Sequence, residues 1–134
     1  MNTKKFLLTS LAVFVTLQIL DFVIHNLILA ADYEALVAVW RPDMMDKMWV
    51  MYITGIVFSL LFVYIFSKGQ EGKGVMEGVK YGFIIGLLVV FVGSFNQFVV
   101  YPIPYGLTWK WIIYGLIEFV ILGAVTALIY KPEK

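Results

Sequence analysis

Hydrophobic residues run along this chain in four long blocks, approximately residues 6–31, 48–67, 75–100 and 107–130, separated by short segments that hold most of the charge. Each block meets the roughly 20 residues that a helix rising 1.5 Å per residue needs to cross a hydrocarbon core of about 30 Å. The pattern predicts an all-α fold: an integral membrane four-helix transmembrane bundle, a single domain over residues 1–134, in direct contact with the lipid bilayer. The first block follows Lys4 and Lys5, as a signal peptide would. Its apolar run is longer than the roughly 7–15 residues of a signal core and no small-x-small cleavage site ends it, so it reads as a retained span.

Composition sharpens this picture. With 134 residues, 62% hydrophobic and 14% charged, and a mean hydropathy of +0.91, the chain has more apolar surface than one small water-surrounded core could hide. The sequence has no cysteine, which excludes disulfides, thiol nucleophiles and Cys-based metal sites. A net charge of +1 and the absence of any Lys/Arg block argue against a nucleic-acid partner. No phosphate loop or dinucleotide fingerprint is present, and no cofactor is expected.

Charge instead sets topology. Lys4, Lys5, Lys68, Lys73, Lys80, Lys131 and Lys134 fall on one side of the four blocks, and Arg41, Lys47 and Lys110 on the other. The positive-inside bias then places both termini in the cytoplasm. Trp40, Trp49, Trp109, Trp111, Tyr101 and Tyr105 sit near the outer ends of the blocks, the headgroup level that amphipathic rings prefer. Among the connections, residues 68–74 read as a tight solvated turn. The segment from Asp32 to Lys47 places Tyr33, Leu36, Val37 and Trp40 at helical spacing, which predicts a short interfacial helix stopped by Pro42. Pro102 and Pro104 make residues 101–106 a rigid non-helical corner.

The third block opens with Gly74, Gly78, Gly82 and Gly86, each four residues after the last. Glycines so spaced form a groove on one helix face, where another backbone can approach closely in lipid. The partner is either a neighbouring span, through Gly115, Gly123 or Gly55, or a second copy in a homodimer.

Polar groups inside the blocks are few, and an ionisable side chain in hydrocarbon costs at least about 2.5–3.5 kcal/mol on insertion scales. The first block supplies Gln18, Asp21, His25 and Asn26, the third Ser94, Asn96 and Gln97, and the fourth Glu118. Gln18, Asp21 and His25 are spaced to share one helix face, as are Trp111, Tyr114 and Glu118. Counting from the outer boundaries puts Asp21 and Glu118 at one depth, about 15 Å down. With His25, Asn96 and Gln97 higher, the pattern predicts a polar cavity opening outward above a tightly packed plug. The bland alternative is that Asp21 and His25 satisfy one another, and that Glu118 bonds Asn96, Gln97 or Tyr114 as structural glue. One His with two carboxylates leaves a metal undetermined, because no H-x-x-E or H-E-x-x-H pattern accompanies it. Ser94 lacks a nucleophile elbow.

An acid late in the first block (Asp21), an Arg41-Pro42 step, a Tyr-Gly-x-x-x-Gly entry at Tyr81 to Gly86, polar Asn96 and Gln97, and Trp111 with Gly115 together resemble uncharacterised families of small bacterial four-span inner-membrane proteins. The resemblance implies a multi-pass protein of the bacterial inner membrane. It departs at Ser94-Phe95, where those families carry a Tyr-Asp pair, so no functional residue is carried over. Size, span number and one early membrane carboxylate are also similar to small multidrug transporters, with the acid in a different sequence context. Two function classes remain. One is a protein that binds a small molecule or cation through Asp21, His25, Glu118, Asn96, Gln97, Gln18 and Tyr114, linked to proton transport. The other is a non-catalytic accessory or scaffold subunit of a larger membrane complex, docked through its glycine face. An enzyme ranks behind both for want of a nucleophile or cofactor site.

Overall fold

The computed structural model describes residues 1–133; Lys134, one of the cations used above to orient the chain, lies outside them. Among the described residues the protein is all-helical. Four helices are long and apolar enough to cross a membrane: Thr3–Ile28, Met45–Gly69, Val75–Val100 and Tyr105–Ile129. These are the first to fourth spans below. The first span starts and ends about three residues earlier than its hydrophobicity suggests, because Asn2 caps it: its Oδ1 accepts from the Lys5 amide at 3.0 Å.

With no water in the hydrocarbon layer, hydroxyl groups must find partners within the protein. They find them one turn back on their own helix: Thr9 donates to the Lys5 carbonyl, Ser10 to Phe6, Thr16 to Ala12, Ser59 to Gly55 and Thr126 to Leu122. Such residues add no polar demand to the bundle interior.

The first span packs against the second and the fourth, and the third packs most closely against the fourth. That last contact is made by Gly78, Gly82 and Gly86. A Cβ on Gly78 would fall on the Gly123 carbonyl, and one on Gly82 on the Phe119 carbonyl. At Gly86 it would press on the Phe119 and Leu116 side chains at 3.0–3.1 Å. Gly74 does not belong to this face. It precedes the helix at φ 84°, with no atom within 4 Å of a Cβ position, so it serves the turn instead. In that turn the Glu77 carboxylate accepts from the Lys73 amide at 2.8 Å and from the Glu71 amide, tying the chain back onto the start of the third span.

Beside the glycine contact, at the half of the bundle nearer the termini, Phe58, Phe62, Phe66, Tyr81 and Phe119 form a continuous aromatic cluster. Tyr81 donates to the Phe62 carbonyl at 2.5 Å, joining the third span to the second. At the other half the regular helices give way. Residues Phe22–Ile28 of the first span and Leu87–Phe91 of the third are wound as π-helix, whose wider turn shifts the facing of every residue beyond it.

The segment between the first two spans differs from the interfacial helix expected to run up to Pro42. A short helix covers only Ala30–Glu34, followed by successive turns to residue 39 and a 3-10 turn at Met45–Lys47. Leu36 and Trp40 fold down onto Ile24, Leu29, Ile103 and Leu107 rather than lying flat. At the other connection Ile103 is buried between Pro102 and Pro104, and Pro104 caps the fourth span.

Candidate functional site

In the half away from the termini lies a cavity of about 750 Å³. The first span supplies Ile24, His25 and Asn26; the connecting segment Tyr33, Glu34, Trp40 and Met44; the second span Met48 and Met51. The third span adds Val89, Val90, Gly93, Ser94 and Gln97, and the fourth Trp111, Gly115 and Glu118. Both π-wound stretches therefore border it. In the third span the π turn brings Val90 against Gly115, where a Cβ would clash with the valine methyl groups at 2.5–3.1 Å.

Glu118 is 7% exposed, and its Oε2 is buried without a hydrogen-bond partner. Asp21 is its acidic neighbour. Asp21 in turn has its Oδ1 3.9 Å from His25 Nε2. His25 Nδ1 and the Tyr33 hydroxyl are 2.5 Å apart, with the two rings stacked. The Tyr33 hydroxyl also accepts from Trp111 Nε1 at 2.7 Å, and its carbonyl from Trp40 Nε1 at 3.1 Å. Because indole nitrogen can only donate, the phenolic hydrogen is free for His25 Nδ1, which leaves Nε2–H on the side of Asp21. A single polar chain thus runs Trp111, Tyr33, His25, Asp21, Glu118.

Tyr33 is its hub. Burial pushes the Tyr33 phenol up to about 12, opposed by the Trp111 hydrogen bond and reinforced by Asp32 and Asp21, so it is a neutral donor throughout the physiological range. The segment that carries it is pinned to the fourth span by Lys110, whose Nζ lies 3.0 Å from Asp32 Oδ1.

The structure brings together Asp21, His25, Glu118 and, on the cavity wall, Gln97. It separates the others. Gln18 points to the second span, its Nε2 3.2 Å from a Cβ position on Gly55, although it shares the α-wound part of the first span with Asp21. Tyr114 packs against the Ile24, Leu29, Ile103 and Leu107 cluster. Asn96 is exposed on the third span and does not line the cavity. Sequence reasoning did not count Tyr33, Trp40, Met44, Met48 or Met51 as site residues. The available signal was Tyr33 itself, a hydrogen-bonding residue two positions beyond a predicted span end and eight after His25. Among the described residues no three His, Asp or Glu side chains gather as a metal centre.

No family of known proteins, no curated protein and no solved structure matches this chain.

Proposed function

We propose that this membrane protein binds a small molecule in the cavity between its spans, and that Asp21 and Glu118 exchange a proton as it does so. The carrying observation is Glu118: the residue lines a cavity of about 750 Å³, and its Oε2, buried beneath that wall, has no hydrogen-bond partner. The hydroxyls of Thr9, Ser10, Thr16, Ser59 and Thr126 are satisfied within their own helices, and leaving an acceptor unmet costs about 1–3 kcal/mol, so an incoming donor is the natural complement. Asp21 adjoins Glu118, so a proton given up by one carboxyl has the other as a neighbouring acceptor. His25 and Tyr33 supply a path for that proton toward the far end of the bundle. The Lys and Arg distribution supports termini in the cytoplasm, hence a cavity facing away from it in a bacterial inner membrane.

The scaffold reading is less well supported, because the glycine face offered for docking is already covered by the fourth span. Native mass spectrometry of protein released gently from membranes tests the proposal. A bound small molecule is expected on the wild type and lost in Gly93→Phe, which fills open space in the cavity wall. A bound mass retained in the folded variant, or none in the wild type, would remove the proposal.

A further inference from the structure

We infer that the ligand is an organic cation with an apolar body, its ammonium group seated on Glu118; this rests on the binding reading above. Charge around the cavity has one sign. Glu118 and Glu34 line it and Asp21 adjoins Glu118, whereas among the described residues no Lys or Arg lines it. The three cations at that end are engaged elsewhere: Arg41 and Lys47 pair with Asp43, at 2.8 and 3.4 Å, and Lys110 with Asp32. An anionic ligand would meet a carboxylate with no counter-ion. A neutral donor would satisfy Oε2 and leave the charge of the carboxyl pair uncompensated, while an ammonium does both.

The walls favour the same class. Tyr33, Trp40 and Trp111 bring three aromatic faces together, with ring centroids 5.7 and 6.5 Å from Tyr33, and such faces attract cations. Met48, Met51, Val89 and Ile24 supply apolar surface for the rest of the molecule, and the volume is that of a site for a drug-sized compound. Away from the aromatic cluster the second and third spans are not a closely packed pair, and Gly93 on the cavity wall leaves space open beside it, room that an apolar body requires. A metal ion would need a cluster of His, Asp and Glu ligands, and none gathers among the described residues.

Tryptophan fluorescence tests this directly. In Trp49→Phe/Trp109→Phe protein held in lipid nanodiscs, the remaining Trp40 and Trp111 both line the cavity. Three bromine-bearing quenchers differ only in head group: 4-bromobenzylammonium, 4-bromobenzyl alcohol and 4-bromobenzoate. The ammonium should quench saturably with a Kd at least about tenfold below that of the alcohol, equivalent to about 1.4 kcal/mol, and the benzoate should not saturate. Glu118→Gln should bring the ammonium to the level of the alcohol, and methylammonium at equal concentration should not displace it. Equal affinity for ammonium and alcohol in the unsubstituted cavity, which needs no further variant to fold, overturns the cation assignment and leaves the binding reading standing. An unchanged ammonium preference in folded Glu118→Gln overturns it too, and displacement by methylammonium overturns the apolar body. Absence of saturable quenching by all three overturns both readings.

Discussion

Near the termini, Gly78 and Gly82 let the backbone of the third span rest on Gly123 and Phe119 of the fourth; fifteen residues after Gly78, at Gly93, nothing lies within 4 Å of a Cβ position. The third span thus meets its neighbour backbone to backbone at one end and borders a cavity at the other. Lipid tails are as apolar as leucine, so burying aliphatic surface does not by itself draw spans together, and close backbone approach with dispersion must do so. The terminal half concentrates that approach: three glycines, an aromatic cluster and Tyr81 bonded to the Phe62 carbonyl. The far half has less of it, in the contacts of Val90 with Gly115 and of Phe95 with Trp109. There the spans carry π turns, an acid pair and a cavity roofed by the Tyr33 segment. A rigid clamp at one end lets the other stay open without the helices parting.

The largest expected effect breaks the clamp. Gly82→Leu would drive a side chain into the Phe119 backbone and should abolish the folded state, a loss beyond the roughly 5 kcal/mol that small domains hold in reserve. Gly93→Leu should be tolerated, within about 1 kcal/mol. Thermal unfolding in mild detergent compares them, and equal loss would mean the two ends are packed alike. Next, Phe62→Ala removes a 2%-exposed ring from the centre of the aromatic cluster and should cost about 3–5 kcal/mol. Met51→Ala, on the cavity wall and 61% exposed, should cost under about 1 kcal/mol by the same assay, since no packed neighbour is lost.

A smaller and more local effect should follow from Tyr33→Phe. The change strands His25 Nδ1 and the Trp111 indole, worth about 1–3 kcal/mol together if no water replaces the hydroxyl. It should appear as faster hydrogen exchange at residues 30–40 with the aromatic cluster unaffected; protection lost at both ends would show that the halves are not independent. Alkali should do the same to the wild type. The folded Tyr33 phenol titrates at about 12, above its ordinary value of 10.0, so its contribution is complete below pH 10 and is lost as pH rises toward 12. Tyr33→Phe should lack that step.

Four apolar blocks were legible because a spanning helix must satisfy its backbone internally, and only long hydrophobic runs can do so in lipid. Asp21 and Glu118 could be set at one depth by counting, since rise per residue is nearly constant. Facing was less legible. Gln18 and Tyr114 were grouped with the acids on α-helical spacing, which groups residues only coarsely: each shares a regular helix with its acid, yet Gln18 faces Gly55 and Tyr114 faces the Ile24 cluster. The roof was not legible at all: Tyr33 reaches His25 and Trp111 only because residues 29–40 fold inward on Ile103 and Leu107. That is a tertiary contact with no local pattern to announce it. Gly74 shared the spacing of the packing glycines, but a φ of 84° puts it in the turn before the helix.

The smallest effect concerns how the roof is held. Lys110 and Asp32 form the ion pair that ties it to the fourth span, but their side chains are 49% and 29% exposed, and exposed pairs contribute about 0–1 kcal/mol. Half-buried Tyr33, Leu36 and Trp40 pack on the same span and its neighbours through contacts that salt does not screen. Lys110→Ala should therefore raise hydrogen exchange at residues 30–40 by less than Tyr33→Phe does, and its effect should shrink further in high salt as the pair is screened. If Lys110→Ala instead frees the segment as fully as Tyr33→Phe, the roof is held by surface charge rather than by its polar chain. The open half would then be gated by ionic strength, and its independence from the clamp would be electrostatic rather than a matter of packing.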